Sequence, residues 1–155
     1  MLEHDTRNEL AIRFSRLDEA DSFSTVSPHS IFLDEKEWPT VEHYFQANIV
    51  LRDPIREQIL KASSGIQAHD LGNKWYRKKI KGWKKVRQVL MTRALYTKCQ
   101  MYDDVRARLL ETGDQKIIET SLYDHYWGLG RDQRGENMLG KLWMNVRAKL
   151  RSEVG

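Results

Sequence analysis

Leu10, Ile12 and Phe14 alternate with Arg13 and Ser15, and this period of two predicts a short strand with one face on a core. Ser30 to Leu33 predicts a second strand. Between them DEADSFSTVSPH is rich in Ser, Asp and Pro, so a surface loop of the kind that carries function is expected there. From Trp38 onward the apolar spacing changes to three and four. Thr40 caps a helix to about Leu51, whose inner face would be Val41, Tyr44, Phe45, Asn48 and Leu51. Asp53-Pro54, a cap and then a proline at the first helical position, opens a helix through Ala62. Ser64 begins a short helix that stops at Gly72.

The longest helix is expected from Trp83 to Gln100, where Val86, Leu90, Ala94 and Leu95 recur at three- and four-residue steps. Asp103 caps a helix to Glu111, closed by Thr112-Gly113. Lys116 to Thr120 is too short to assign to either strand or helix. After the glycine-rich loop WGLGRDQRGEN, Met138 to Arg151 reads as an amphipathic helix with Leu139, Leu142, Trp143 and Val146 inward. The fold class is therefore mainly α (α+β), a multihelical domain with a small N-terminal β-sheet. At 155 residues one core is expected, as a single domain over 9–152 behind an N-terminal extension, 1–8.

Composition narrows the setting. No stretch approaches the ~20 apolar residues a membrane helix needs, and the mixed-charge N-terminus lacks an apolar run, so a cytoplasmic protein without membrane contact is expected. The lone Cys99 cannot close an internal disulfide and reads as a packed helix residue. The net charge of +4 suggests an anionic partner. Its distribution is more telling, because KWYRKKIKGWKKVR, residues 74 to 87, sets eight basic residues among Trp75, Tyr76 and Trp83. Such a stretch can grip phosphates while its rings stack on bases, although a charge run also serves as a solvated face.

Several chemistries lack their motifs. There is no GxGxxG after a strand, no GxxxxGK[ST], no GxSxG and no HExxH or HxH among the five histidines. One cysteine excludes a thiolate zinc cluster, and neither metal nor cofactor is expected. Two segments remain. In WPTVEHYFQA, residues 38 to 47, Glu42 lies in a first helical turn beside aromatics and a histidine, where an acid also suits the helix dipole. In the Glu119–Lys141 segment, Asp124 precedes Trp127 and Gly128, and Gly130, Gly135 and Asn137 let the backbone approach a ligand. An indole in a loop must pack or stack on something.

FSTVSPHSIFLDEKEWPTVEHYFQA, LLETGDQKIIETSLYDHYWGLG and GENMLGKLWMNVRAKL together resemble the YbiA-like, or NADAR, family from about Phe14 to Leu150. The WPTxEHYFQA box, followed about eighty residues later by DxxWGxG and GxNxLGxxxM, is the specific part. The resemblance implies a hydrolase of N-glycosyl compounds, cleaving between a ribose anomeric carbon and a nitrogen. Known members act on ribosylated early riboflavin intermediates, and others remove ADP-ribose from guanine. The resemblance thus implies a ribosylated or ADP-ribosylated small-molecule substrate and admits ADP-ribosylated nucleic acid. The matched polar positions include Ser24, Glu42, His43, Gln46, Trp83, Lys98, Glu119, Asp124, Trp127 and Asn137.

Two departures matter. The family usually reads SNF where this chain has Ser24-Thr25-Val26, and QAxKF where it has Gln46-Ala47-Asn48-Ile49-Val50. A hydroxyl thus replaces an amide, and isoleucine replaces a lysine whose charge Lys98 or the Lys74–Lys85 cluster would have to supply. Breaking a ribosyl C–N bond develops positive charge on the sugar, so Glu42 and Asp124 are the expected catalytic carboxylates. Ser24, Trp38, His43, Gln46, Trp83, Lys98, Trp127, Gly128 and Asn137 are expected to bind substrate, with Trp83 and Trp127 stacking on the base and basic side chains holding phosphate. The rival readings are a non-catalytic ADP-ribose or nucleotide-binding module and a nucleic-acid binder using Lys74 to Arg87.

Overall fold

A computed structural model of the chain describes residues 10–154, so the 1–8 extension lies outside the described residues. Strand β1, Ile12–Phe14, pairs in parallel with β4, Ile117–Glu119, in the register Ile12↔Ile117 and Phe14↔Glu119. Strands β2, Ile31–Leu33, and β3, Lys36–Trp38, form a separate antiparallel hairpin. Its turn places Asp34 at φ 54° and Glu35 at φ 64°, the left-handed pair that a two-residue hairpin requires. Arg93 and the Tyr44 hydroxyl hold the Asp34 carboxylate.

Six helices complete the described residues: α1 Val41–Ile49, α2 Asp53–Leu60, α3 Gly65–Gly72, α4 Trp83–Met101, α5 Asp103–Glu111 and α6 Met138–Val154. Mainly helical architecture with little sheet is as expected, and Cys99 is packed in the core. Thr40 Oγ1 accepts from His43 N at α1, and Ser64 Oγ accepts from Gln67 N at α3, each satisfying one free helix-end donor. Asp53 and Pro54 fall one place further in than expected, Arg52 being the capping residue.

The differences concern burial and pairing. The first strand does not pair with the second; its partner is the undecided segment after α5, whose Ile117, Ile118 and Glu119 are all buried. The 18–29 segment is no simple surface loop, since Phe23 to Ser27 are buried. Its polar groups find partners inside: Ser27 N donates to Ser24 Oγ, and Lys98 Nζ donates to Ser24 O and Ser27 Oγ. Helix α1 has no polar face. Glu42, His43 and Gln46 are as buried as Tyr44 and Phe45, whereas Leu51 is exposed. A helix enclosed on all sides by α2, α3 and α4 must satisfy its polar side chains internally.

Candidate active site

Arg16, just beyond β1, is the junction at which the two expected carboxylates meet. Its guanidinium donates to Glu42 twice, Nη2 to Oε1 at 2.7 Å and Nε to Oε2 at 3.1 Å. Its Nη1 lies 3.5 Å from Asp124 Oδ2. The rings of Trp127 and Phe45 pack 5.4 and 5.6 Å from the same guanidinium. Arg16 N also donates to Glu119 Oε1 at 2.9 Å. Two carboxylates, one from α1 and one from the loop after β4, thus meet a single buried guanidinium, while a third, Glu119 of β4, anchors the backbone of the same arginine.

Glu42 is completely enclosed. Gln46 Nε2 donates to Oε1 at 2.7 Å, and the Thr25 hydroxyl donates to Oε2. Burial alone would push the Glu42 carboxyl up, but the charges of Arg16 and His69 and the Arg16 and Gln46 hydrogen bonds outweigh it and hold the group below its ordinary range. Asp124 is more open. Its Oδ1 accepts from Tyr126 N at 3.1 Å and Trp127 N at 2.7 Å, an Asx turn that fixes the side chain. Its Oδ2 is the oxygen on the Arg16 side, and the residue lines a cleft of about 460 Å3 together with Arg16, His69, Ser121 and Tyr123 among others.

The other expected ligand residues divide. Gln46 reaches the Glu42 carboxylate, and Trp127 reaches Arg16, although at 6% exposure the indole is packed rather than free. Gly128 and Asn137 serve the scaffold: a Cβ on Gly128 would stand 1.9 Å from Glu119 Oε2, and the Asn137 amide bonds Glu119 N and Ile117 O to brace β4. Trp38 donates to Leu33 O within the hairpin, and His43 is fixed between Thr40 and Ala62. Neither lines the Asp124 cleft. Ser24 and Lys98 bond each other in the buried 24–27 segment, so Lys98 is not free to supply charge elsewhere. Burial lowers its pKa to about 7.

Ile49 is 1% exposed and belongs to the core, but the residue bridged to its neighbour Val50 is Lys79, from the expected basic cluster. Lys79 Nζ sits 4.1 Å above the half-buried Trp83 ring. Arg87, one helical turn on, lies 5.4 Å from the same ring and 3.2 Å over Tyr126. Arg16 has no sequence signal. It is one arginine among many, and its partners are brought to it only by the fold. Among the described residues, no group of three or more His, Cys, Asp or Glu side chains is arranged to hold a metal ion.

The sequence matches the NADAR domain over residues 4–151. The N-glycosidase YbiA of Escherichia coli is 35% identical over 152 residues, covering 98% of this chain and 95% of that protein. The N-glycosidase Npun_R5314 of Nostoc punctiforme is 37% identical over 133 residues, 84% and 85% of the two chains. The NMR structure of Escherichia coli YbiA superposes with a TM-score of 0.82 at 38% identity, covering 92% of this chain and 86% of that one.

Proposed function

The chain belongs to the NADAR domain family, and from that premise we propose that it is an N-glycosidase, hydrolysing the bond between a ribose anomeric carbon and a nitrogen. The observation that carries this reading is the convergence of Glu42 and Asp124 on Arg16 at the edge of a cleft. Two carboxylates and one guanidinium leave an excess negative charge, the sign that favours a sugar ring acquiring positive charge as its C–N bond breaks. Asp124 lines the cleft and takes the proton of the attacking water. Glu42 fixes Arg16 and adds its charge from behind. The bond electrons leave with the nitrogen, which is protonated, in this proposal by His69 on the cleft wall. One water is consumed, giving the free sugar hydroxyl and the N–H base.

The substrate class is a ribosylated heterocycle or amine, either an early riboflavin intermediate or ADP-ribosylated guanine, acted on in the cytoplasm. Among the described residues no helix is long and apolar enough to cross a membrane. Chromatographic detection of released base from each substrate tests the reading. Glu42→Gln, which removes the charge behind Arg16, lowers turnover at least ~100-fold, the scale of a lost preorganised electrostatic group; unchanged turnover removes Glu42 from the mechanism.

A second reading extends the substrate to nucleic acid. It is favoured by Trp75, 93% exposed, beside the exposed Tyr76 and five exposed lysines between Lys74 and Lys85. Faster release from an ADP-ribosylated oligonucleotide than from the nucleoside, with an advantage that collapses as salt rises, supports it. Equal rates at all salt concentrations contradict it.

A further inference from the structure

Between Leu71 and Tyr102 the chain has ten basic residues and no acidic one. Most of the Lys74–Lys85 side chains point into water, where cations need no partner. Lys79 and Arg87 differ. Both are partly buried, both lie over Trp83, and among the described residues neither forms an ion pair with a carboxylate. Arg87 Nε is buried without an acceptor. Two cations withdrawn from water onto shared rings retain attraction for an anion, because ring faces offset only part of the lost hydration.

The location matters as much as the charge. Arg87 stacks on Tyr126, Tyr126 meets Trp127 at 4.8 Å, and Trp127 contacts Arg16. The cation pair is therefore joined by a continuous row of rings to the junction of Glu42 and Asp124. The electrostatics agree: burial, Arg16 and Arg87 together depress the Lys79 pKa, and Glu42 opposes them.

We propose that Lys79 and Arg87, set on Trp83 and Tyr126, form the subsite for the phosphoryl group of a ribosyl phosphate substrate. This rests on the glycosidase reading and adds which side chains recognise the phosphorylated end of the sugar. A guanidinium gives paired donors to two phosphate oxygens, and an ammonium supplies a compact charge to the third.

The test uses the intact protein and two measurements. Calorimetric titration with ribose 5-phosphate, with ribose as control, reads the subsite without turnover. Steady-state kinetics on a ribosylated aminopyrimidine, with and without its 5-phosphate, reads it during catalysis. Lys79→Gln and Arg87→Gln should each weaken ribose 5-phosphate binding and raise KM for the phosphorylated substrate about tenfold, corresponding to roughly 1.4 kcal/mol, while kcat/KM for the dephosphorylated form stays constant. Arg87→Lys, which keeps a cation over Tyr126, should retain part of the binding and guards against loss of fold. Ribose 5-phosphate binding that is unaltered in both Gln variants overturns the subsite, as does an equal loss on both substrate forms. Lys79-dependent binding of ribose 5-phosphate by a protein that releases no base would sustain the subsite and sink the glycosidase reading instead.

Discussion

The Arg16 guanidinium meets the Glu42 carboxylate with bonds of 2.7 and 3.1 Å where neither side chain is more than 5% exposed. A buried pair of this kind is weak evidence of net stabilisation, but removing one member leaves the other charge stranded. Arg16→Met should therefore cost about 3–5 kcal/mol in urea unfolding. A loss below 1 kcal/mol would mean that water or another cation reaches Glu42.

Asp124 has separable duties. Oδ1 holds the turn through the Tyr126 and Trp127 amides, and Oδ2 lies 3.5 Å from Arg16 Nη1. Asp124→Asn keeps a turn acceptor, whereas Asp124→Ala does not, so the Ala variant should be less stable than the Asn variant by about 1 kcal/mol, the usual worth of such a hydrogen bond. Equal melting behaviour would show that the turn does not depend on Oδ1.

Much of this was legible in the chain, for physical reasons particular to each element. Thr40, Ser64 and Pro54 act within a turn of where they stand, so α1 to α3 could be placed from local spacing. Glu42 and Asp124 were legible through their motifs. Arg16 was not, because its backbone partner Glu119 lies 103 residues away and no local pattern encodes that distance. Strand β3, Lys-Glu-Trp, carries no strand pattern, since only Trp38 of the three is buried. The burial of the 18–29 segment has no sequence signal, because Ser and Asp ordinarily face solvent; here Ser27 and Asp21 accept from Lys98 and Arg108.

Gly128 is required by Glu119. An added methyl would stand 1.9 Å from Oε2 of a buried carboxylate already bonded by Arg16 N and Ser121 N. Gly128→Ala should destabilise the fold by about 1–3 kcal/mol, the range for overpacking, measured as a lower urea midpoint at constant slope. An unchanged midpoint would mean that Glu119 is free to move.

Lys98 makes stability depend on pH. Its native pKa is about 7 against an ordinary 10.5, because burial disfavours the ammonium. Below pH 7 the lysine is charged in both states and the burial cost is fully present. Between 7 and 10.5 the unfolded chain holds a proton that the native chain has released, so native stability rises with pH. The difference in unfolding free energy between the parent and Lys98→Met should therefore shift in favour of the parent across that window. A pH-independent difference would contradict the account.

The most direct test is a turnover assay in 18O-labelled water, using a ribosylated aminopyrimidine with the parent protein and Asp124→Asn. The account predicts free base, one 18O on the anomeric carbon of the released ribose, and at least a ~100-fold slower reaction in the variant, as expected on losing an acid–base group. Base release at the parental rate by Asp124→Asn, or no base from any ribosylated substrate, would contradict it.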